Sequence, residues 1–317
     1  MHKKFYIYVF ALILPFSVAC SGNGKIIEAY DRGNYDTVRK LCGPRAEKDD
    51  PSCLYLLGRM AYEGSGAVSN KEEAFKLLEK ASSFNHRHAQ LLLGLAVIQD
   101  EGKIIPESEG IRYIQSAARG GLYEAAVVYN RLATRLNLTD EETKEKDELI
   151  KAAAEGGNSS ARLAAGCMYC IPVSSAAECA EKGIPLLEKA AESNNITSLR
   201  SLGIVYYSRN EFDKSVEPLR KAAIQGDGEA AFFIGRIYMA GGGYEDAYKW
   251  FRVALAAGFE GVKPQLAVYE QPEHKGIKDD GIKRYAALEK IIERNRMILE
   301  KKAATSDVRA AFLDRNM

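Results

Sequence analysis

Cys53-Leu54-Tyr55-Leu56-Leu57-Gly58-Arg59-Met60-Ala61-Tyr62, closed by Gly64-Ser65-Gly66, sets a register that returns along the chain. A small residue leads and Gly follows five places later. The copies start at Cys53, Ala89, Ala125, Ala161, Ser198 and Ala230, with Gly58, Gly94, Asn130, Gly166, Gly203 and Gly235 in fifth place. The steps between starts are 36, 36, 36, 37 and 32 residues. Eight residues before each start after the first stands an alanine: Ala81, Ala117, Ala153, Ala190 and Ala222. A fixed period in this range predicts an all-α chain of stacked helical hairpins.

One copy shows how the pattern is made. Cys53 to Tyr62 reads as a first helix, which Gly64-Ser65-Gly66 ends. Asn70 is placed to cap a second helix, and Glu72 and Glu73 suit its first turn through the helix dipole. Ala74, Leu77, Leu78 and Ala81 then fall at i, i+3, i+4 and i+7, a single apolar stripe. The turn after the second helix holds Asn85, Gly121, Gly157, Asn194, Gly226 and Gly258 in the six copies. Only Gly and Asn occur there, the residues that most readily take positive φ at a helix end.

The full 317 residues are 46% hydrophobic and 27% charged, with a formal net charge of +1. That composition supports a large core and gives no basic excess to suggest nucleic acid. The chain opens Met1-His2-Lys3-Lys4, runs apolar from Phe5 to Phe16 and then reads Ser17-Val18-Ala19-Cys20, the plan of a secretory signal peptide. The run is too short for a membrane span, which needs ~20 apolar residues. Small residues directly before a Cys resemble a bacterial lipobox. That resemblance implies a lipidated Cys20 followed by a Ser21-Gly22-Asn23-Gly24 tether, although Ser17 stands where the family usually has Leu. Ser21 resembles the residue found in lipoproteins sent to the outer membrane. The competing expectation is cleavage after Ala19, leaving a soluble periplasmic or secreted protein.

The residues Glu229 to Gly241 and Cys53 to Gly66 resemble the Sel-like repeat, a relative of the tetratricopeptide repeat. Its pattern is Ala, Leu-Gly, Tyr, Gly-x-Gly, then Lys-Ala and a Gly turn. The resemblance covers about Cys53 to Gly261, with a divergent half-copy from Ile26 to Cys42. The third copy departs most: Asn130 replaces Gly, and Leu136 to Asp140 replaces the Gly-x-Gly loop. The resemblance implies a right-handed α/α solenoid of helix-turn-helix repeats with a C-terminal capping helix. The expected organisation is a signal peptide over 1–19, a lipidated Cys and tether over 20–25, the solenoid over 26–261, and a capping helix and tail over 262–317. Within the last part, Gln271 to Asp280 reads as a loop. Ile282 to Lys301 reads as one helix, with Ile282, Tyr285, Leu288, Ile291, Ile292 and Ile298 on or near one face.

Cysteine-rich relatives staple neighbouring helices, and this implies a Cys42–Cys53 disulfide. A second staple is expected at Cys179, with Cys170 or Cys167 as its partner. Cys167-Met168-Tyr169-Cys170 is also a CxxC, but it has no preceding strand, second CxxC or nearby His, so metal and redox readings lack support. His86-Arg87-His88 follows the turn residue Asn85, where a capping role outweighs a metal site. No Ser, His and Asp set has motif support, and no Gly-rich phosphate loop follows a strand. The expectation is therefore a chain without catalytic residues, metal or cofactor.

Counting two, six and nine places from each copy's start selects one stripe on the first helices. Tyr55, Arg59, Tyr62, Arg131, Arg200, Tyr207, Phe232 and Arg236 lie on it, a mixture favoured at interface centres. The expected function is a non-enzymatic protein–protein scaffold in a concave groove, anchored through its lipid to the outer membrane and facing the periplasm. By analogy with similar lipoproteins it would assist an envelope or exopolysaccharide-export assembly. The alternatives are a secreted, cysteine-rich protein that binds host or rival-cell targets, and a cell-wall hydrolase.

Overall fold

A computed structural model describes residues 24–99, 104–134, 136–170, 175–286, 288–294 and 297. Cys20, the signal segment and Ile298 lie outside the described residues. Helices account for the regular structure described, and no strand occurs among the described residues. The chain divides into two compact units at the Asn158–Ser159 junction. The first unit holds α1 (Gly24–Asp31), α2 (Tyr35–Ala46), α3 (Pro51–Glu63), α4 (Lys71–Ser83), α5 (Arg87–Gln99), α6 (Glu107–Arg119), α7 (Tyr123–Ala133) and α8 (Asp140–Glu155). The second holds α9 (Ser159–Cys170), α10 (Ala176–Glu178), α11 (Ile184–Ala191), α12 (Ile196–Ser208), α13 (Phe212–Ala223), α14 (Gly228–Ala240), α15 (Tyr244–Ala256) and α16 (Lys263–Val268).

The repeating register is a packing register. Each copy's leading residue is buried: Cys53, Ala89, Ala125, Ala161, Ser198 and Ala230 are all at most 2% exposed. The fifth-place glycines are holes in the first helix of each hairpin. A Cβ added to Gly58, Gly166, Gly203 or Gly235 would stand 3.0, 2.7, 2.5 or 2.4 Å from Leu78, Leu187, Leu219 or Phe251, respectively. At Gly94 it would stand 2.6 Å from Ile114 and 2.5 Å from the Gly110 carbonyl oxygen. Those large side chains share one position on the second helix and are fully buried. Three residues after each comes the buried alanine of the sequence pattern, and Ala254 continues the series after Phe251.

A second small position completes the close approach. Four residues before each large side chain stand Ala74, Gly110, Gly183, Ser215 and Ala247, all buried. Ser215 Oγ donates to the Gly203 carbonyl at 2.8 Å, and the Gly183 carbonyl lies 3.1 Å from the Cβ position of Gly166. The third copy has Asn130 at the hole position and Lys146 at the facing small position, so the pairing of small residues found in the other copies is missing there. There α8 starts on a Thr139–Glu142 capping box and an acidic first turn, as the Asp140 to Glu142 run predicts.

The turns between hairpins also follow the sequence. Asn85 and Asn194 take φ of 57° and 54°, and the four glycines of the series take 84° to 100°. The carbonyls of Ala81, Ala117, Ala153, Ala222 and Ala254 each accept the N–H five residues on, the pattern of a Schellman cap. Asn70 caps α4 through the Glu73 N–H as expected, and Gly64 ends α3 in the left-handed region.

Two ends differ from the sequence reading. Helix α2 continues past Cys42, the last residue of the expected half-copy, through Gly43 and Pro44 to Ala46. After a 3₁₀ turn at Pro272–His274, the C-terminal helix begins at residue 275, inside the expected loop. Its buried face is formed by Ile277, Tyr285, Leu288 and Ile292, with Gly281 set against Tyr248, where a Cβ would come within 2.6 Å. Ile282 and Ile291 are 42% and 50% exposed, because the helical face starts at Ile277 and passes them by.

Gly203→Ala is expected to overpack its hairpin and cost about 1–3 kcal/mol. Leu219→Ala is expected to leave a cavity and cost about 2–5 kcal/mol. Together they should cost clearly less than the sum, because the smaller side chain makes room for the new methyl. Urea unfolding of the four proteins measures this, and simple additivity would sink the hole-and-knob account.

Candidate functional site

The stripe residues have different fates in the two units. In the first unit, Arg59 is spent inside the protein. Its Nε donates to Glu63 Oε1 at 2.8 Å, its guanidinium lies 4.8 Å from the Tyr30 ring centroid, and its side chain is 14% exposed. Tyr30 Oη donates to the other Glu63 oxygen at 2.6 Å, and burial together with Glu63 pushes the Tyr30 pKa far upward. Tyr55 is buried and stacks on His86 at 4.8 Å, and Tyr62 Oη donates to Gln99 at 2.8 Å. Arg131 is exposed. His86 Nδ1 accepts the Ala89 N–H at 3.2 Å, the capping role predicted for it, and burial lowers its pKa to about 4.

In the second unit Arg200 is also committed. It pairs with Asp227 at 2.8 Å and Glu229 at 3.4 Å, and Asp227 caps α14 through the Ala230 N–H at 2.8 Å. Arg200 thus ties one hairpin to the start of the next. Arg236 is different. It is exposed, lies 5.5 Å from the Tyr207 ring centroid and 5.9 Å from that of Phe232, and pairs with no acidic side chain among the described residues. The rings beneath it are themselves clustered: Tyr207 meets Phe233 at 4.9 Å and Phe212 at 5.6 Å, and Phe232 meets Phe259 at 5.1 Å. The structure therefore gathers Tyr207, Phe232 and Arg236 from the predicted set onto one surface, and removes Tyr55, Arg59 and Arg200 from service as free contacts.

No protein-family model matches the chain, and no curated protein matches it by sequence. Solved structures do match. One is a protective antigen of uropathogenic Escherichia coli strains displaying an SLR fold, with a TM-score of 0.64 and 19% identity over 86% of this chain. The match spans 62% of that antigen's own length. Another is a Sel1 repeat protein from Oxalobacter formigenes, with a TM-score of 0.56 and 23% identity, covering 74% of this chain and 98% of that one. The chain has the Sel-like repeat fold.

Within this Sel-like repeat fold the cysteines divide. Cys170 and Cys179 form a disulfide with a Cα–Cα distance of 4.7 Å, which leaves Cys167 as a half-buried thiol. The expected bond between Cys42 and Cys53 is not formed. Both are buried free thiols in side-chain hydrogen-bond contact, which raises the Cys42 pKa and lowers that of Cys53. Sequence reading missed Phe212, Phe233 and Phe259 as the floor beneath the stripe. It also missed the rule that separates the arginines: Glu63 follows Arg59 by four places, where a helix pairs charges, and Ala240 follows Arg236.

Arg59→Glu is expected to destabilise the first unit by about 3–5 kcal/mol, since it sets a second carboxylate beside nearly buried Glu63. Arg236→Glu should change stability by less than about 0.5 kcal/mol, as an exposed residue does. Thermal unfolding followed by circular dichroism compares them, and equal melting temperatures for the two variants would contradict these roles.

Proposed function

We propose that the chain is a non-enzymatic scaffold that binds another protein through the Tyr207–Phe232–Arg236 surface. The carrying observation is the exposed Arg236 guanidinium resting on two aromatic rings with no acidic partner among the described residues. Aromatic residues and Arg dominate interface centres because they bury large area while keeping a polar handle. The Ser17-Val18-Ala19-Cys20 segment supports export and lipidation at Cys20, with the repeats facing the periplasm from the outer membrane. A disulfide between Cys170 and Cys179 agrees with an oxidising compartment. An envelope or exopolysaccharide-export assembly is the proposed setting.

A photocrosslinker at Phe232 in intact cells is expected to trap one defined protein, and Arg236→Glu should abolish the product. A product retained in that variant would move the partner elsewhere. Radiolabelled palmitate should enter the wild type and not Cys20→Ala; an unlabelled wild type would end the lipid-anchor reading.

We also propose that after export the Cys42 and Cys53 thiols, already in contact, exchange with a disulfide oxidant of the extracytoplasmic compartment, forming a second staple while that disulfide is reduced to two thiols. The bond would link the end of one hairpin to the start of the next. Alkylation of the exported protein under denaturing, non-reducing conditions should modify Cys167 and spare Cys42 and Cys53. Modification of either would reject the staple.

A further inference from the structure

One helical turn beyond Arg236, the same face of α14 reaches an apolar cavity. Phe232, Arg236 and Met239 fall at i, i+4 and i+7 on this helix, and Met239 forms part of the rim of a cavity of about 440 Å³. Tyr244, Val268, Tyr269 and Ile277 line it further, all within the second unit. Met239, Tyr244 and Val268 are 39%, 48% and 49% exposed, so three large apolar side chains meet solvent around one opening. Two of the polar side chains that border the cavity are engaged by the protein's own backbone. His274 Nδ1 bonds the Val268 carbonyl at 2.9 Å, and in its satisfied orientation the Gln265 amide donates to the Val262 and Gly261 carbonyls. The lining is thus mainly apolar, with the Tyr244 and Tyr269 rings among its walls.

The cavity and the arginine make different demands on an occupant. Buried apolar area favours an aliphatic or aromatic side chain, and 440 Å³ lies in the range that accepts one. Arg236 can offer its charge to a carboxylate, since Arg200, Arg209, Arg220 and Arg284 of the same unit are paired with Asp227, Glu211, Glu217 and Asp246 and Arg236 has no acidic partner among the described residues. An exposed guanidinium can recognise a carboxylate in a bidentate pair. One isolated cation matches one carboxylate better than a polyanion. From Phe232 to Met239 the helix rises about 10 Å, the reach of roughly three residues of extended peptide.

We infer that the second unit binds an acidic–apolar peptide segment of its partner, with an Asp or Glu on Arg236 and a large apolar side chain in the Met239–Tyr244–Val268 cavity. This rests on the scaffold reading and names the kind of segment that reading requires. It also explains why Met239, Tyr244 and Val268 remain uncovered in a chain that buries apolar residues at every repeated position.

The test uses the full chain and fluorescein-labelled peptides on a Gly/Ser background, each with one Glu and one Phe separated by zero to four residues. Fluorescence anisotropy should show binding at one or two spacings. Replacing the peptide's Glu by Gln, or Arg236 by Gln in the protein, should weaken it at least about tenfold, as expected for a charged hydrogen bond. Val268→Asp should do the same, and Arg112→Gln, at an exposed arginine of the first unit, should leave binding unchanged, with circular dichroism confirming that each variant is folded. Absence of binding at every spacing, or undiminished binding by Arg236→Gln, would overturn the inference. So would binding seen only after residues 298–317 are removed, because Phe312-Leu313-Asp314 of this chain would then be the occupant. A crosslink from Phe232 that persists while all peptides fail would leave the scaffold reading standing and remove only this segment assignment.

Discussion

The fold depends on a large side chain of one helix entering a hole left by a missing Cβ on its partner. Five hairpins repeat this contact, with Leu78, Ile114, Leu187, Leu219 and Phe251 set against Gly58, Gly94, Gly166, Gly203 and Gly235. The gaps that an added methyl would meet are 2.4 to 3.0 Å, well inside van der Waals contact, so the two backbones stand as close as packing allows. Because the contact is buried and recurs at one position, it fixes which face of every helix points inward. The small residue four places before each large one then follows as a geometric requirement, since that position faces the hole helix one turn away.

The constraint also decides what is left for function. Residues at the start, the hole, the knob and the turn are consumed by packing, and only the stripe between them varies freely. Even there, most side chains are drawn into the structure. Arg59 and Arg236 occupy the same place in their copies, yet one is locked with Glu63 and Tyr30 and the other stands exposed over half-buried rings. The difference comes from the residue four places on, an acid in one copy and Ala240 in the other. Equivalence of register sets where a side chain begins, and its neighbours decide whether it is available.

This separates what was legible in the sequence from what was not. The hairpins, their turns and the Asn70 and His86 caps depend on residues a few places apart, and spacing reveals such relations. The positive φ at Asn85 and Asn194 followed from the company they keep with glycines in the same column. The C-terminal helix was misplaced because Pro272 and Gly276 look like loop residues. Ile277 and Gly281 read as helix only once Tyr248 and the rest of the core are in position to receive them. The aromatic floor under Arg236 joins residues from α12, α13, α14 and the turn after α15, a set with no spacing of its own. The cavity beside it likewise depends on where α16 and the C-terminal helix come to rest.

The step of 37 residues shows how strictly the hole contact is kept. From hole to knob the first three copies count 20 residues, the fourth counts 21, and the last two count 16. A deletion of four shortens the loop between helices and leaves both helices intact, so it needs no further accommodation. A single added residue inside a helix is different, because it would rotate the knob by about 100° away from its hole. In the fourth copy the second helix contains a π-turn at Cys179–Gly183, between α10 and α11, and a π-turn takes up one extra residue. Leu187 is thereby returned to Gly166. The π-turn opens on Cys179, whose disulfide partner Cys170 ends α9, and it closes on Gly183, where a Cβ would stand 2.5 Å from the Cys170 sulfur. The disulfide therefore sits in the hairpin with the π-turn, and it ties that irregular turn to the helix that carries the hole.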